Sequence, residues 1–188
     1  MELNPECILI KAAQKGDQQA FATLYRSHVD RIYRYIFYRV DTAIIAEDLT
    51  ADVFIHALEG LSRYECSSSP WIAWLYSIAN ARVVDHYRRN GRITQQEMSE
   101  EATDSVEMNW DDNIVATFTH DVIQEAIRYL NDEQRQVIIY RFIESYSLEK
   151  TAMLMGKTIG AIKTMQHRAL VAMGKSIQKR GIKPDDLE

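Results

Sequence analysis

The sequence predicts an all-α protein: two small helical domains joined by an acidic flexible linker. Three observations predict it. Glycine and proline, which build the turns of sandwiches and barrels, number only 7 and 3 among 188 residues. Long segments repeat apolar residues at steps of three and four. Between two such blocks the composition turns acidic and loses most of its large apolar residues. The expected boundaries are 1–92 for the first domain, 93–117 for the linker and 118–188 for the second domain. At 46% apolar residues the chain can form a core.

The first block runs from about Pro5 to Arg89. "GDQQAFATLYRSHVDRIYRYIFYRV" puts Phe21, Leu24, Val29, Ile32, Tyr33, Ile36, Phe37 and Val40 on a buried helical stripe. "TAIIAEDLTADVFIHALEGL" follows, with Ile45, Leu49, Val53 and Leu58 on one side. "SRYECSSSP" is a serine-rich loop that ends in proline. "WIAWLYSIANARVVDHYRRN" is a helix, apolar first and basic at its end, with Trp71, Trp74 and Leu75 expected in the core.

From Asn90 to Phe118 the acids Glu97, Glu100, Glu101, Asp104, Glu107, Asp111 and Asp112 are opposed only by Arg92. Such a segment is a linker, poorly folded alone. Helices resume with "HDVIQEAIRYL" and "NDEQRQVIIYRFIES". Asn131 and Asp132 are good caps, with Glu133 and Gln134 in the first turn.

"SLEKTAMLMGKTIGAIKTMQHRALVAMGK", Ser147 to Lys175, reads as helix, tight turn and helix. Ser147 caps the first helix, Ala152 permits a close crossing, and Gly156 suits a left-handed turn. Ile162, Met165, Ala169 and Ala172 pin the second helix to the first. Its other face carries Lys163, Thr164, His167 and Arg168, paired at four-residue spacing. Arg and Lys can bond guanine edges or phosphates, and Thr can touch bases, methyls or phosphates. A helix-turn-helix of this kind reads DNA; a plain helical hairpin with a solvated basic face is the alternative.

A net charge of −5 opposes DNA binding when taken as a whole, but the charges are segregated along the sequence. Lys157 to Arg180 holds basic residues and no acids, and "RRNGR" at Arg88 to Arg92 is a second basic run. Cys7 and Cys66 form no C-x-x-C pair, so two free thiols in a reducing cytosol are expected. "MELNPECILIKAAQKGD" is not a signal peptide, and no apolar run approaches a membrane span. A cytoplasmic protein without membrane insertion is expected, with no cofactor and no metal.

Four stretches together resemble one family. They are "AAQKGDQQAFATLYRSHVDRIYRYI", "AEDLTADVFIHAL", "WIAWLYSIANARVVDHYRR" and "LNDEQRQVIIYRFIESYSLEKTAMLMGKTIGAIKTMQHRAL". In this order, with an acidic tether among them, they resemble the extracytoplasmic-function type of bacterial sigma factor, the initiation subunit of RNA polymerase. The resemblance implies partners and site residues. Glu47, Asp48, Asp52 and Phe54 would meet the polymerase, the acids gripping a coiled coil of its clamp. Arg63, Tyr64, Asn80, Asp85, Arg88 and Arg89 would meet the downstream promoter element, where melting captures an unstacked base. Lys157, Thr158, Lys163, Thr164, His167 and Arg168 would meet the upstream element. Relatives are often held by an anti-sigma protein as well.

Two positions depart from the pattern. Ala51 stands where relatives often have glutamine. Ala81 stands where they often have asparagine, with Asn80 one place earlier, about 100° around a helix. Three other readings compete. A DNA-binding regulator that never joins polymerase lacks a reason for the first-domain motif, and co-purification with polymerase separates the two. An enzyme lacks any H-E-x-x-H, G-x-S-x-G or phosphate-binding glycine loop. A protein-only scaffold would bind no DNA even with polymerase present.

Overall fold

A computed structural model describes residues 4–66, 69–90 and 120–179. Among them every regular element is helical. The chain divides into two compact units, with the break between Thr94 and Gln95. The acidic linker read over 93–117 lies outside the described residues.

The first unit holds α1 (Pro5–Gln14), α2 (Gln18–Phe37), α3 (Ala43–Gly60), a 3-10 turn (Leu61–Arg63) and α4 (Trp71–Arg89). Local chemistry sets each start. Asn4 caps α1 ahead of Pro5, Asp17 accepts from Gln19 N and Ala20 N, and Thr42 accepts from Ile45 N. Gly16, with φ 94°, supplies the left-handed residue between α1 and α2. Ile10, Leu24, Ile32, Ile36, Val53 and Leu75 are fully buried where these helices meet.

The stripe expected on α2 is only half of its buried face. Leu24, Ile32, Ile36 and Val40 are buried, while Phe21, Val29, Tyr33 and Phe37 are half-buried. His28 and Tyr35 complete the face. His28 is tolerated because Nε2 lies 2.9 Å from the Glu6 carboxylate of α1. Burial holds its imidazole below the ordinary value, against the opposing pull of Glu6. Arg39 is buried too, its guanidinium 4.9 Å from the Tyr35 ring centre and donating to the Tyr35 hydroxyl.

The second unit holds α5 (His120–Arg128), α6 (Asp132–Ile138), a π-helical turn (Ile139–Ile143), α7 (Leu148–Met155) and α8 (Ile159–Lys179). Asn131 and Gln134 form a complete capping box at α6. Ser147 caps α7, and Gly156 ends it in the left-handed conformation at φ 63°. Val137, Ala152 and Ile162 make the contact that fixes α8, with Leu148, Met155 and Met165 packed around them.

Candidate nucleic-acid interface

α3 has two different faces. Ala46, Thr50, Val53 and Ala57 are buried against the unit, and Glu47 and Asp48 are exposed. Ile44 is 71% exposed, Ile55 55% and Leu58 54%, large values for aliphatic side chains. Positions 44, 48, 51, 55 and 58 alternate steps of four and three. That 3.5-residue period makes a straight seam suited to a partner helix or coiled coil. Asp48 lies in the seam, and Glu47, Asp52 and Glu59 flank it.

Two expectations on this helix change. Leu58, read on one side with Ile45, Leu49 and Val53, belongs to the outer seam, whereas Val53 is buried. Phe54, grouped with the acids, is a core side chain, 5% exposed and edge-on to Tyr25 of α2 at 4.7 Å. It sits at the rim of the buried face, where α2 covers it. Ile44 and Ile55 escaped the sequence reading because apolar helix residues are assigned to the core by default. The second 4-3 stripe was the signal.

Asp52 is not isolated. Its carboxylate lies 3.5 Å from His56 Nδ1 and 3.8 Å from Arg82 Nη1 of α4. His56 Nδ1 lies 2.8 Å from the Asp52 carbonyl, so it is the protonated nitrogen. That leaves Nε2 to accept from Arg82 Nη1 at 3.3 Å. Arg82 Nη2 reaches Asp85 Oδ2 at 3.0 Å, and Asp85 Oδ1 takes Arg88 Nη2, also at 3.0 Å. The acid expected at the polymerase and the acid expected at the promoter are thus joined through Arg82, which the sequence reading did not single out.

On α4, Ser77, Ala81, Val84 and Arg88 form one exposed line. Arg89 is exposed beyond it. The residues upstream of Arg88 are small or short, so a nucleic-acid strand can approach closely. Asn80 is half-buried and off this line.

Beside α4 the 3-10 turn opens a pocket of about 380 Å³ lined by His56, Glu59, Gly60, Arg63, Tyr64 and Trp74. Arg63 is exposed at its mouth. Tyr64 is a wall rather than a mobile loop residue. It is 8% exposed, its ring 5.0 Å from both Trp71 and Trp74, and its hydroxyl donates to the Ser69 carbonyl. Burial, and then the Glu6 carboxylate, push its phenol above the ordinary value, so it stays a donor. Trp71 and Leu75 are core as expected, whereas Trp74 is half-buried and faces the pocket. A Cβ at Gly60 would sit 3.1 Å from the Trp74 ring, so any larger residue there would require the ring to shift by a few tenths of an ångström.

The turn is fastened to α1. Gln14 Nε2 donates to the carbonyls of Leu61 at 2.9 Å and Tyr64 at 2.8 Å. Cys7 and Cys66 are joined by a disulfide, with Cα atoms 5.9 Å apart across a separation of 59 residues. This corrects the expectation of two free thiols. Packing of α1 brings Cys7 to the turn, a long-range event that residue spacing does not encode.

In the second unit α8 presents Lys163, Thr164, His167 and Arg168 to solvent, opposite the buried Ile162 and Ala169. Thr158 is exposed, but its hydroxyl already caps α8, accepting from Ala161 N at 3.2 Å. Lys157 is held by Glu133 of α6 at 2.8 Å. Arg141 Nε donates to Gln166 at 3.0 Å and also reaches the Tyr146 carbonyl, bracing α8 against the π turn.

Comparison with known proteins agrees with this geometry. The Sigma-70 region 2 family matches residues 24–93, and Sigma-70, region 4 matches residues 126–173. The chain is 34% identical to the ECF RNA polymerase sigma factor BldN of Streptomyces coelicolor over 181 residues, 95% of this chain and 66% of that protein's length. It is 26% identical to the ECF RNA polymerase sigma factor SigW of Bacillus subtilis over 178 residues, 90% of this chain and 95% of the other. Two solved structures share the fold. CnrH in complex with the cytosolic domain of CnrY has a TM-score of 0.65 at 20% identity, covering 92% of this chain and 96% of that one. The sigma factor RpoE of Bartonella quintana, in complex with the anti-sigma factor NepR, has a TM-score of 0.62 at 21% identity, covering 84% and 96%. The two matched regions fall in order on the two helical units, and the chain belongs to the extracytoplasmic-function sigma factors, the family that directs bacterial RNA polymerase to promoters.

Proposed function

We propose that this chain docks on core RNA polymerase through the outer seam of α3, melts the downstream promoter element at α4 and the adjoining turn pocket, and reads the upstream element with α8. It acts in the cytoplasm as a recruited specificity subunit, with no catalysis of its own. The observation that carries the reading is the outer face of α3. An exposed aliphatic seam that carries Asp48 and is flanked by Glu47 and Asp52 is an interface without its partner. The partner it fits is a helical surface with a basic rim. Alongside it, the pocket offers aromatic walls and Arg63, the chemistry that holds an unstacked base and its phosphate.

An anti-sigma protein would act by covering the α3 seam. The sigma factor RpoE, which shares the fold, is solved in complex with the anti-sigma factor NepR, and a partner of that kind is what the seam would accept. Run-off transcription with core polymerase on genomic fragments tests the reading. Discrete start sites that depend on the added chain are expected. Core polymerase that initiates no differently with the chain than without it would overturn the proposal.

A further inference from the structure

We propose that the Cys7–Cys66 pair is a thiol–disulfide exchange site whose redox state sets how well the turn pocket works in promoter melting. The inference rests on the pocket reading above. Cys7 lies before the residues matched to region 2, and Cys66 lies within them, two positions after the pocket wall Tyr64. The bridge therefore ties α1, outside the matched region, to the strip of chain that shapes the pocket.

α1 fastens this turn twice. Gln14 holds the Leu61 and Tyr64 carbonyls, and the disulfide holds Cys66. The first fastening is indifferent to redox conditions. The second can be opened. The Cα separation of 5.9 Å is ordinary for a disulfide, so closure needs no movement of α1. Cys7 is 7% exposed, while Cys66 is half-buried, so Cys66 is the side of the bridge that an incoming thiolate would meet first.

The co-reactant is a dithiol. Its thiolate attacks Cys66 Sγ, the Cys66–Cys7 bond breaks, and Cys7 leaves as a thiolate that takes a proton. The second thiol of the same molecule attacks its own sulfur in the mixed disulfide and releases Cys66. Two electrons and two protons pass to the protein, and the dithiol leaves as a disulfide. After reduction Gln14 still holds Leu61 and Tyr64, so the turn stays in place. Cys66 is released, and the side of the pocket that carries Arg63 and Tyr64 loses its outer anchor. The α3 seam has no part in this, so polymerase binding does not change.

The test uses the full chain reconstituted with core polymerase, oxidised or reduced with dithiothreitol. Thiol alkylation read by mass counts free cysteines in each preparation. Open-complex formation is followed with 2-aminopurine in the downstream element. Both cysteines are expected to be protected from alkylation in the oxidised chain and modified after reduction. Reduction should slow melting about five-fold, the scale of reordering one or two released side chains. Core affinity should stay the same, and Cys7→Ser/Cys66→Ser should behave as the reduced chain under both conditions. Free thiols in the oxidised preparation, or equal melting in both states, would overturn the inference. Should the double variant fold poorly, the reduced wild-type chain still gives the comparison. Arg63→Ala in the oxidised chain separates the two ideas. If it melts like wild type, the pocket reading fails and the redox role falls with it. If it is impaired while redox state has no effect, only the redox role is lost.

Discussion

Thr151 of α7 is fully buried, and its hydroxyl has no hydrogen-bond partner among the described residues. Valine has nearly the same shape and no polar atom to desolvate. Thr151→Val is therefore expected to stabilise the second unit by about 1 kcal/mol, read by urea unfolding. A loss of stability would mean the hydroxyl has a partner. His28 gives a pH test. Its folded imidazole binds a proton less readily than the ordinary value of 6.5, mainly because it is buried, with Arg31 adding to the effect and Glu6 opposing it. Below about pH 6.5 the unfolded chain then binds more protons than the folded one, so stability is full above that range and lost as pH falls through it. His28→Gln should flatten the slope of unfolding free energy between pH 5.5 and 7. Neither residue was singled out from the sequence. Burial of a polar group depends on contacts between helices, as α1 brings Glu6 to His28 across 22 positions.

Among the elements, those with strong local signals were legible. Ser147, Gly156 and the Asn131–Gln134 box were readable because capping is settled within four residues. So was the division of α8 into a pinned face and a basic face. α3 was half legible, since its inner face looked like core but its outer seam has the same aliphatic composition. For α8, Lys163 is near the helix start and Arg168 further along, and the start of a recognition helix usually enters the groove. Lys163→Ala is expected to cost about 1–3 kcal/mol at promoters with the cognate upstream element and to relax preference at one position. Arg168→Ala should weaken all promoters alike and lower the salt slope by about one. Transcription from a panel of promoters mutated in the upstream element checks both. Equal, position-independent effects would mean that α8 docks differently.

At the scale of the whole molecule, the net charge of −5 is compatible with promoter binding because the acidic and basic residues fall in different parts of the sequence. The acids of 93–117 and of α3 precede the basic run of Lys157 to Arg180 in the sequence, and that run itself holds no acid. Two weak reading units delivered together by polymerase act at high effective concentration, so neither needs strong affinity alone. All of this depends on polymerase docking, the property that separates a sigma factor from a DNA-binding regulator. The most direct measurement is the affinity of core polymerase for the wild-type chain and for Asp48→Lys/Ile55→Lys. Both positions lie in the α3 seam, exposed and outside the packed core. With far-UV circular dichroism and thermal unfolding unchanged, a loss of about 100-fold in affinity is expected, in the range for reversing one interfacial charge and burying another. An unaltered affinity in the folded double variant would contradict docking through α3.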